Sequence, residues 1–254
     1  MQKDEKDGFI KRFRGQSYIT KDDIDRFYRK HDPDLKDSTL RWRIYKLKED
    51  NVLLRVRRGI YSLNRKPQFE PTLSKKLVKL ESLYSENFSP SLTCIIWSTE
   101  WLHQFMVQQP SSHQIIIETE RDSVESLFYN VQENFKNTFF DPGKDVIRGY
   151  VVREKESIII KPIISRSPTH ILTPQIKIAS LEKILVDLFC DDELFISYQG
   201  TEMANIFVNA WRRYAINLSA LVNYAKRRKR GDAIINYFKK NSGQDFNRRL
   251  WHDR

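Results

Sequence analysis

The sequence predicts an α/β protein of the α+β type, in which three helices and a β-hairpin precede a larger mixed-sheet domain with a helical C-terminal part. Two observations predict this class. Apolar residues recur at helical spacing within the first 50 residues and again after residue 180, whereas short strand-like runs alternate with helices between them. The polar stretch at 64–68 resembles a linker, so we expect domains at residues 1–66 and 67–254.

The first two helices are predicted from their ends. The first helix is expected over Lys3–Phe13, before Gly15. Thr20 is a good N-cap for the second, because its hydroxyl accepts from free N–H groups of the next turn. Asp23 stands three residues on, where a capping box places its carboxylate, and Ile19 and Ile24 have the spacing of a hydrophobic staple.

The third helix is expected to start near Asp37 or Ser38, either of which is able to cap it. Leu40, Ile44 and Leu47 follow at helical spacing and predict its buried stripe. At 100° per residue, the opposite face is predicted to carry Ser38, Thr39, Arg41, Trp42, Tyr45 and Lys46.

Two short strands are expected next, at 52–57 and 60–63, joined by a turn at Arg58-Gly59. The order of three helices followed by a hairpin with a basic tip indicates a winged helix-turn-helix. In this fold the recognition helix fits the major groove of DNA.

The winged helix predicts double-stranded DNA as a partner. Arg41 is the candidate for base readout, because a guanidinium binds guanine O6 and N7 in a fork. Trp42 is expected either to wedge against the sugar-phosphate backbone or, preferably, to close a partly buried edge of the domain. The full set of candidate DNA-binding residues is Ser38, Thr39, Arg41, Trp42, Tyr45, Lys46, Arg55, Arg57 and Arg58. A module that binds protein instead is the open alternative.

Positive charge is concentrated in two regions of a chain whose net charge is +11. Residues 36–66 carry ten basic and three acidic residues, and residues 212–254 carry twelve and three, whereas residues 67–211 sum to −6. Such clusters are the footprint expected for a phosphate backbone. A possible second nucleic-acid contact is Lys226, Arg227, Arg228, Lys229 and Arg230, at a helix end with Gly231 as the residue after the cap. A solvated helix end is the alternative.

The larger domain is predicted to begin with a helix at 73–83 and strands at 93–97 and 114–118. A helix from Asp122 or Ser123 to about Phe135 follows. Residues 145–152 and 158–164 are expected to form an antiparallel hairpin. Further helices are predicted at 181–189, 203–214, 217–228 and 232–240.

The sequence lacks the usual catalytic motifs, so we expect no enzyme activity, no cofactor and no metal. Cys94 and Cys190 lie far apart and have no zinc-ligand spacing. A metal-dependent nuclease is the alternative, with Glu118 and Glu120 after one strand and Glu154-Lys155-Glu156 on a neighbouring hairpin. Without an apolar run of membrane length or a signal peptide, the protein is expected in the cytoplasm.

Several segments resemble AbiEi-type antitoxins, the regulators of type IV toxin–antitoxin (abortive infection) systems. The similarity begins at Ile44–Leu47, runs into the segment Val56–Leu63, and returns at Lys161–Ser165, Ser180–Leu188 and Leu221–Arg228. These motifs are short and none is catalytic, although together they span most of the chain.

The resemblance implies a transcriptional autorepressor that binds operator repeats through its winged helix. Arg41, Lys46, Arg57 and Arg58 would then carry operator binding. The second domain would counter a nucleotidyltransferase-like toxin encoded next door, without forming a stable complex with it.

Overall fold

The computed structural model describes residues 3–16, 18–50, 52–64, 66–89 and 91–242. The chain forms two compact units. The N-terminal unit comprises Met1–Gln68, Arg213–Leu218 and the residues from Phe238 on, and the central unit comprises Phe69–Arg212 and Ser219–Tyr237. The predicted domain bounds, 1–66 and 67–254, stay a prediction.

The N-terminal unit contains three helices and a small antiparallel sheet. Its elements are α1 (Lys3–Phe13), β1 (Ile19–Thr20), α2 (Lys21–Arg29), α3 (Asp37–Glu49), β2 (Leu53–Arg57) and β3 (Ile60–Leu63). The sheet order is β1-β3-β2. The predicted order of helices and hairpin is confirmed, and the two-residue strand β1 is the element that the sequence pattern missed.

The start of α2 confirms the predicted capping box. The Thr20 hydroxyl accepts from the Asp23 N–H at 3.1 Å, and the Asp23 carboxylate accepts from the Thr20 N–H at 2.9 Å. The predicted cap of α3 is wrong, because the N-cap is Lys36, which makes no side-chain cap hydrogen bond. Asp37 lies inside the first turn instead, where its carboxylate binds Arg29 at 3.1 Å.

The core of the N-terminal unit joins the apolar faces of all three helices. Phe9 and Phe13 of α1 pack with Ile24 and Tyr28 of α2 and with the α3 stripe Leu40, Ile44 and Leu47. Every member of that predicted stripe is buried. The opposite face of α3 is therefore fixed toward solvent.

The central unit is built on a six-stranded mixed sheet with the order β6-β7-β5-β4-β9-β8. The strands are β4 (Cys94–Ser98), β5 (His113–Thr119), β6 (Thr138–Phe140), β7 (Glu156–Pro162), β8 (Thr169–Ile171) and β9 (Ile176–Ala179). The helices are α4 (Lys75–Asn87), α5 (Val124–Asn134), α6 (Lys144–Gly149), α7 (Leu181–Cys190), α8 (Thr201–Arg213), α9 (Leu218–Arg227) and α10 (Gly231–Ser242). The predicted mixed sheet and C-terminal helices are confirmed. Three helix ends are assigned to the N-terminal unit: the last residue of α8 (Arg213), the first residue of α9 (Leu218) and the part of α10 from Phe238 on.

The predicted hairpin of 145–152 with 158–164 is wrong. Residues 144–149 form α6, and β7 lies between β5 and β6 and runs parallel to both. The centre of β7, Ser157–Lys161, is buried throughout. A continuous apolar run such as Ile158–Ile160 is typical of a parallel strand covered on both faces, whereas a half-exposed hairpin strand alternates.

Among the described residues, no helix combines the length and the apolar character that crossing a bilayer requires.

Candidate nucleic-acid interface

The exposed face of α3 carries the side chains that the sequence analysis selected for base contact. Arg41 is exposed, and its Nε donates to the Asp37 carbonyl oxygen at 3.3 Å. This bond uses only Nε. The two terminal nitrogens of the guanidinium have no carboxylate partner among the described residues. Arg41 thus keeps the forked pair of donors that reads guanine.

Two aromatic side chains lie on the same face. Trp42 is 52% exposed and Tyr45 is 54% exposed. Trp42 is thus about half covered, and both expectations for it, a wedge against the sugar-phosphate backbone and a partly buried edge, stay predictions. Leu40 and Ile44, which flank Trp42 in sequence, turn toward the core and direct it outward.

The remaining α3 candidates differ in exposure and in whether they already have a partner within the protein. Ser38 is exposed and Thr39 is half-buried. Lys46 Nζ lies 3.3 Å from the Asp50 carboxylate one turn on, and its side chain is 43% exposed. This exposed pair is weak enough to open toward a phosphate.

The β2–β3 hairpin adds two described cations. Arg58 is exposed at the turn, where Gly59 has φ +73°. Arg55 is half-buried and pairs across the sheet with Tyr61. Neither has a carboxylate partner among the residues that the structure describes. The side chain of Arg57 lies outside the described residues, although its backbone closes β2 after a bulge.

Three other arginines of the N-terminal unit are already paired. Arg26 binds Asp23 at 2.6 Å, and Arg29 binds Asp25 at 2.8 Å. Arg43 contacts Glu5 at 3.4 Å. These pairs neutralise cations away from the exposed α3 face, so the uncompensated charge of the described residues includes Arg41, Arg55 and Arg58.

The residues of the second basic segment have two different environments: four are exposed, and Arg228 is paired with carboxylates. Lys226, Lys229 and Arg230 are exposed, and Arg227 is exposed while its Nε donates to the Ser165 hydroxyl at 2.6 Å. Arg228 does not belong to a solvated cluster, because it binds Asp187 at 2.7 Å and Asp191 at 2.5 Å.

The predicted cap of this segment is also wrong. Lys229, not Gly231, takes the left-handed backbone conformation, with φ +59°, and Gly231 begins α10. A Cβ at Gly231 would lie 2.5 Å from Lys226 Cγ, so close approach of the chain explains the glycine.

Arg228 is part of a buried ion-pair network that the sequence analysis missed. Lys183 on α7 is fully buried, and its Nζ donates to Glu118 at 2.9 Å and to Asp187. The Tyr224 hydroxyl donates to Asp187 at 2.8 Å. The i, i+4 spacing of Lys183 and Asp187 was a local signal, but nothing local points to Glu118 on β5.

The other half of the network lies nearer the surface. Lys161 at the end of β7 donates to Asp191 at 2.8 Å. Although burial opposes ionisation, Lys161 and Arg228 lower the pKa of Asp191 to about 2. Burial raises the pKa of Glu118, and Lys183 only partly offsets this. The three cations Lys161, Lys183 and Arg228 balance three carboxylates, so the network is neutral.

The alternative nuclease site is not assembled. Glu118 faces Lys183 inside the protein, and β5 pairs with β7 so that His113 lies opposite Glu156 and Glu118 opposite Lys161. Five residues of strand, about 17 Å, separate the two acidic groups. The expectation that they adjoin is therefore wrong, because it assumed an antiparallel hairpin. Among the described residues, no group of three or more His, Cys, Asp or Glu is placed to hold a metal.

Comparison with known proteins gives a family. The family model described as a family of unknown function (DUF6577) matches residues 39–244, which is most of the chain, so the protein belongs to that family. No curated protein and no solved structure matches the chain.

Proposed function

We propose that this member of the DUF6577 family is a winged helix-turn-helix protein that binds double-stranded DNA through α3 and the β2–β3 hairpin. The observation that carries the proposal is the exposed face of α3, where Arg41 has no carboxylate partner among the described residues and lies beside Trp42 and Tyr45. A helix with this surface fits the major groove, and a hairpin tip with Arg58 is suited to the adjacent backbone.

Charge supports a nucleic acid over a protein partner. Residues 36–66 carry a net charge of +7, which is the highest density in the chain before residue 212. Protein interfaces are enriched in arginine and aromatic residues but depleted in lysine, and this segment carries four lysines beside its arginines. A surface of this kind gains most from a partner that carries regularly spaced negative charges.

A regulatory role follows from the resemblance to AbiEi-type antitoxins. On that basis we place the protein as an autorepressor of its own operon and as the antitoxin of a nucleotidyltransferase-like toxin. The central unit would then carry the antitoxic function without catalysis. This part of the proposal depends on a toxin gene beside the gene for this protein.

The test of DNA binding is a salt titration by fluorescence anisotropy, with a duplex from the upstream region of the gene and a scrambled duplex of equal length. We expect the logarithm of the affinity to fall linearly with the logarithm of salt concentration, with a slope of about −4 if four to five phosphates are neutralised. An affinity that salt leaves unchanged would refute the proposal.

The antitoxin role has a separate test. We expect a nucleotidyltransferase-like reading frame directly beside the gene, and co-expression of this protein should restore the growth that the toxin arrests. If no such neighbour exists, the antitoxin role is lost while the DNA-binding result stands.

A further inference from the structure

A cationic groove lies within the central unit, at the start of β6 and β7. It is an open concavity of about 650 Å³, lined by the segments that precede β6 and β7. Lys136 lies on the first segment, and Arg153 and Lys155 lie on the second. We call this feature the β6–β7 groove.

The charges of the β6–β7 groove do not cancel. Lys136, Arg153 and Lys155 are exposed, and none has a carboxylate partner among the described residues. Glu156 is already bound by Lys76 and by His113 Nε2, the latter at 3.0 Å. Three unpaired cations therefore share the groove with Glu154 alone.

The side chain of Glu154 forms a hydrogen bond with an uncharged partner. Its carboxylate accepts a hydrogen bond from the Asn137 amide at 2.8 Å. An amide holds a carboxylate in place but does not neutralise it, so Glu154 keeps its single negative charge. The net charge that faces a ligand in the groove is positive.

Two lysines of α4 lie near Phe135, a residue that lines the groove. The Nζ atoms of Lys76 and Lys79 lie 5.1 Å and 5.2 Å from the centre of the Phe135 ring. Cation–π contacts of this length hold the ammonium groups near the ring. The charge of Lys76 is balanced by Glu156, whereas Lys79 has no carboxylate partner among the described residues and adds positive potential near the groove without lining it.

This accumulation runs against the charge of the surrounding region. Residues 67–211 contain 13 basic and 19 acidic residues. Some cations of this region are taken up by carboxylates, as Lys144 and Arg148 are by Glu193 and as Lys183 is by the buried network, whereas the three cations of the groove are not. Cations left without a partner beside a concavity raise the local concentration of anions.

We propose that the β6–β7 groove binds the phosphate groups of a ligand of mononucleotide size. A guanidinium and two ammonium groups are the side chains that proteins use for phosphate oxygens. The volume lies within the range of small-ligand sites. All the groove residues belong to the central unit, so this proposal does not rest on DNA binding by α3.

The test is isothermal titration calorimetry of the full-length protein with ATP and with inorganic pyrophosphate at low ionic strength. We expect saturable binding of ATP at one site per chain, and we expect pyrophosphate to compete for it. Arg153→Glu and Lys136→Glu should each weaken ATP binding at least tenfold, while Lys155→Arg should retain it. A thermal unfolding curve identifies any variant that fails to fold.

The control is Arg212→Glu, an exposed arginine of the central unit that does not line the groove. It should change ATP affinity less than twofold, and so should Arg41→Ala, which separates this result from the DNA-binding proposal. The proposal is overturned if neither probe gives a saturable heat, if Arg212→Glu weakens binding as much as Arg153→Glu, or if a single-stranded oligonucleotide binds the groove while ATP does not.

Discussion

Arg41 and Arg43 are two residues apart on one helix and have different environments. Arg43 lies 3.4 Å from Glu5, and its guanidinium carbon is 4.6 Å from the Tyr28 ring centre, so its charge serves the fold. Arg41 is exposed with only a backbone acceptor. Side chains two residues apart on a helix differ in direction by about 200°, so Arg41 and Arg43 lie on opposite sides of α3.

Arg41→Ala and Arg58→Ala should weaken DNA binding in different ways. Arg41→Ala is expected to cost about 1–3 kcal/mol and to relax the preference at one base pair, because it removes a base contact. Arg58→Ala should weaken all sequences about equally and make the salt slope shallower by about 1, because it removes a phosphate contact. Anisotropy titrations with a set of single-base variants of the duplex measure both effects.

Arg12→Ala is the matched control for this pair. Arg12 is an exposed arginine on α1 of the same unit, so its loss changes the net charge equally. It should leave sequence preference unchanged. If Arg12→Ala matches Arg41→Ala, or if the Arg41 and Arg58 variants behave alike, the placement of α3 in the groove is wrong.

Lys183→Met is expected to destabilise the protein by roughly 3–5 kcal/mol, because it leaves two buried carboxylates, Glu118 and Asp187, without their cation. Lys144→Met is the comparison, since Lys144 is 72% exposed and a solvent-screened pair with Glu193 should contribute little to the free energy of unfolding. Urea unfolding followed by circular dichroism measures both. Equal stabilities of the two variants would show that the network contributes no more than a surface pair.

At the scale of elements, helix ends and strand partners were predicted with unequal success. The capping box of α2 was predicted because its donors and acceptors lie three residues apart. The cap of α3 was missed because Asp37 binds Arg29, eight residues away, which no local rule includes. The partner of β7 was missed for the same reason, since parallel pairing joins it to β5, more than 40 residues earlier.

Thr20→Ala should lower the free energy of unfolding by about 0.5–2 kcal/mol, because the N–H of Asp23 loses its acceptor at the start of α2. Thr20→Ser keeps a hydroxyl at that position and should retain most of the stability. Thermal and urea unfolding of the two variants compare them directly. A Thr20→Ser variant as unstable as Thr20→Ala would mean that the methyl group, and not the cap, is what matters.

At the scale of the whole molecule, acidic and basic residues serve different purposes along the chain. Within residues 67–211, several cations balance carboxylates, as Lys161 does for Asp191, while Lys136, Arg153 and Lys155 have no such partner in the described chain. Residues 36–66 leave Arg41 and Arg58 without such partners in the described chain. Net charge alone would not separate these two uses.

The network also gives stability a pH dependence. The pKa of Asp191 is about 2 in the folded protein, below its ordinary value, so its contribution is complete above about pH 4 and is lost as the pH falls toward 2. We expect Asp191→Asn to be less stable than wild type by about 2 kcal/mol at pH 7. This difference should narrow between pH 4 and pH 2 in urea unfolding. A constant difference across that range would show that Asp191 acts by packing alone.

The sequence by itself determined the helical order of the first 50 residues, the buried stripe of α3 and its exposed opposite face, because each depends on spacings of three or four residues. Tertiary structure alone decided that β7 is central and parallel, that Arg228 turns inward to Asp187 and Asp191, and that Lys136, Arg153 and Lys155 line one groove. These arrangements join segments separated by 17 to 43 positions. Periodicity carries no information about partners at that distance, because chain packing, not local spacing, selects them.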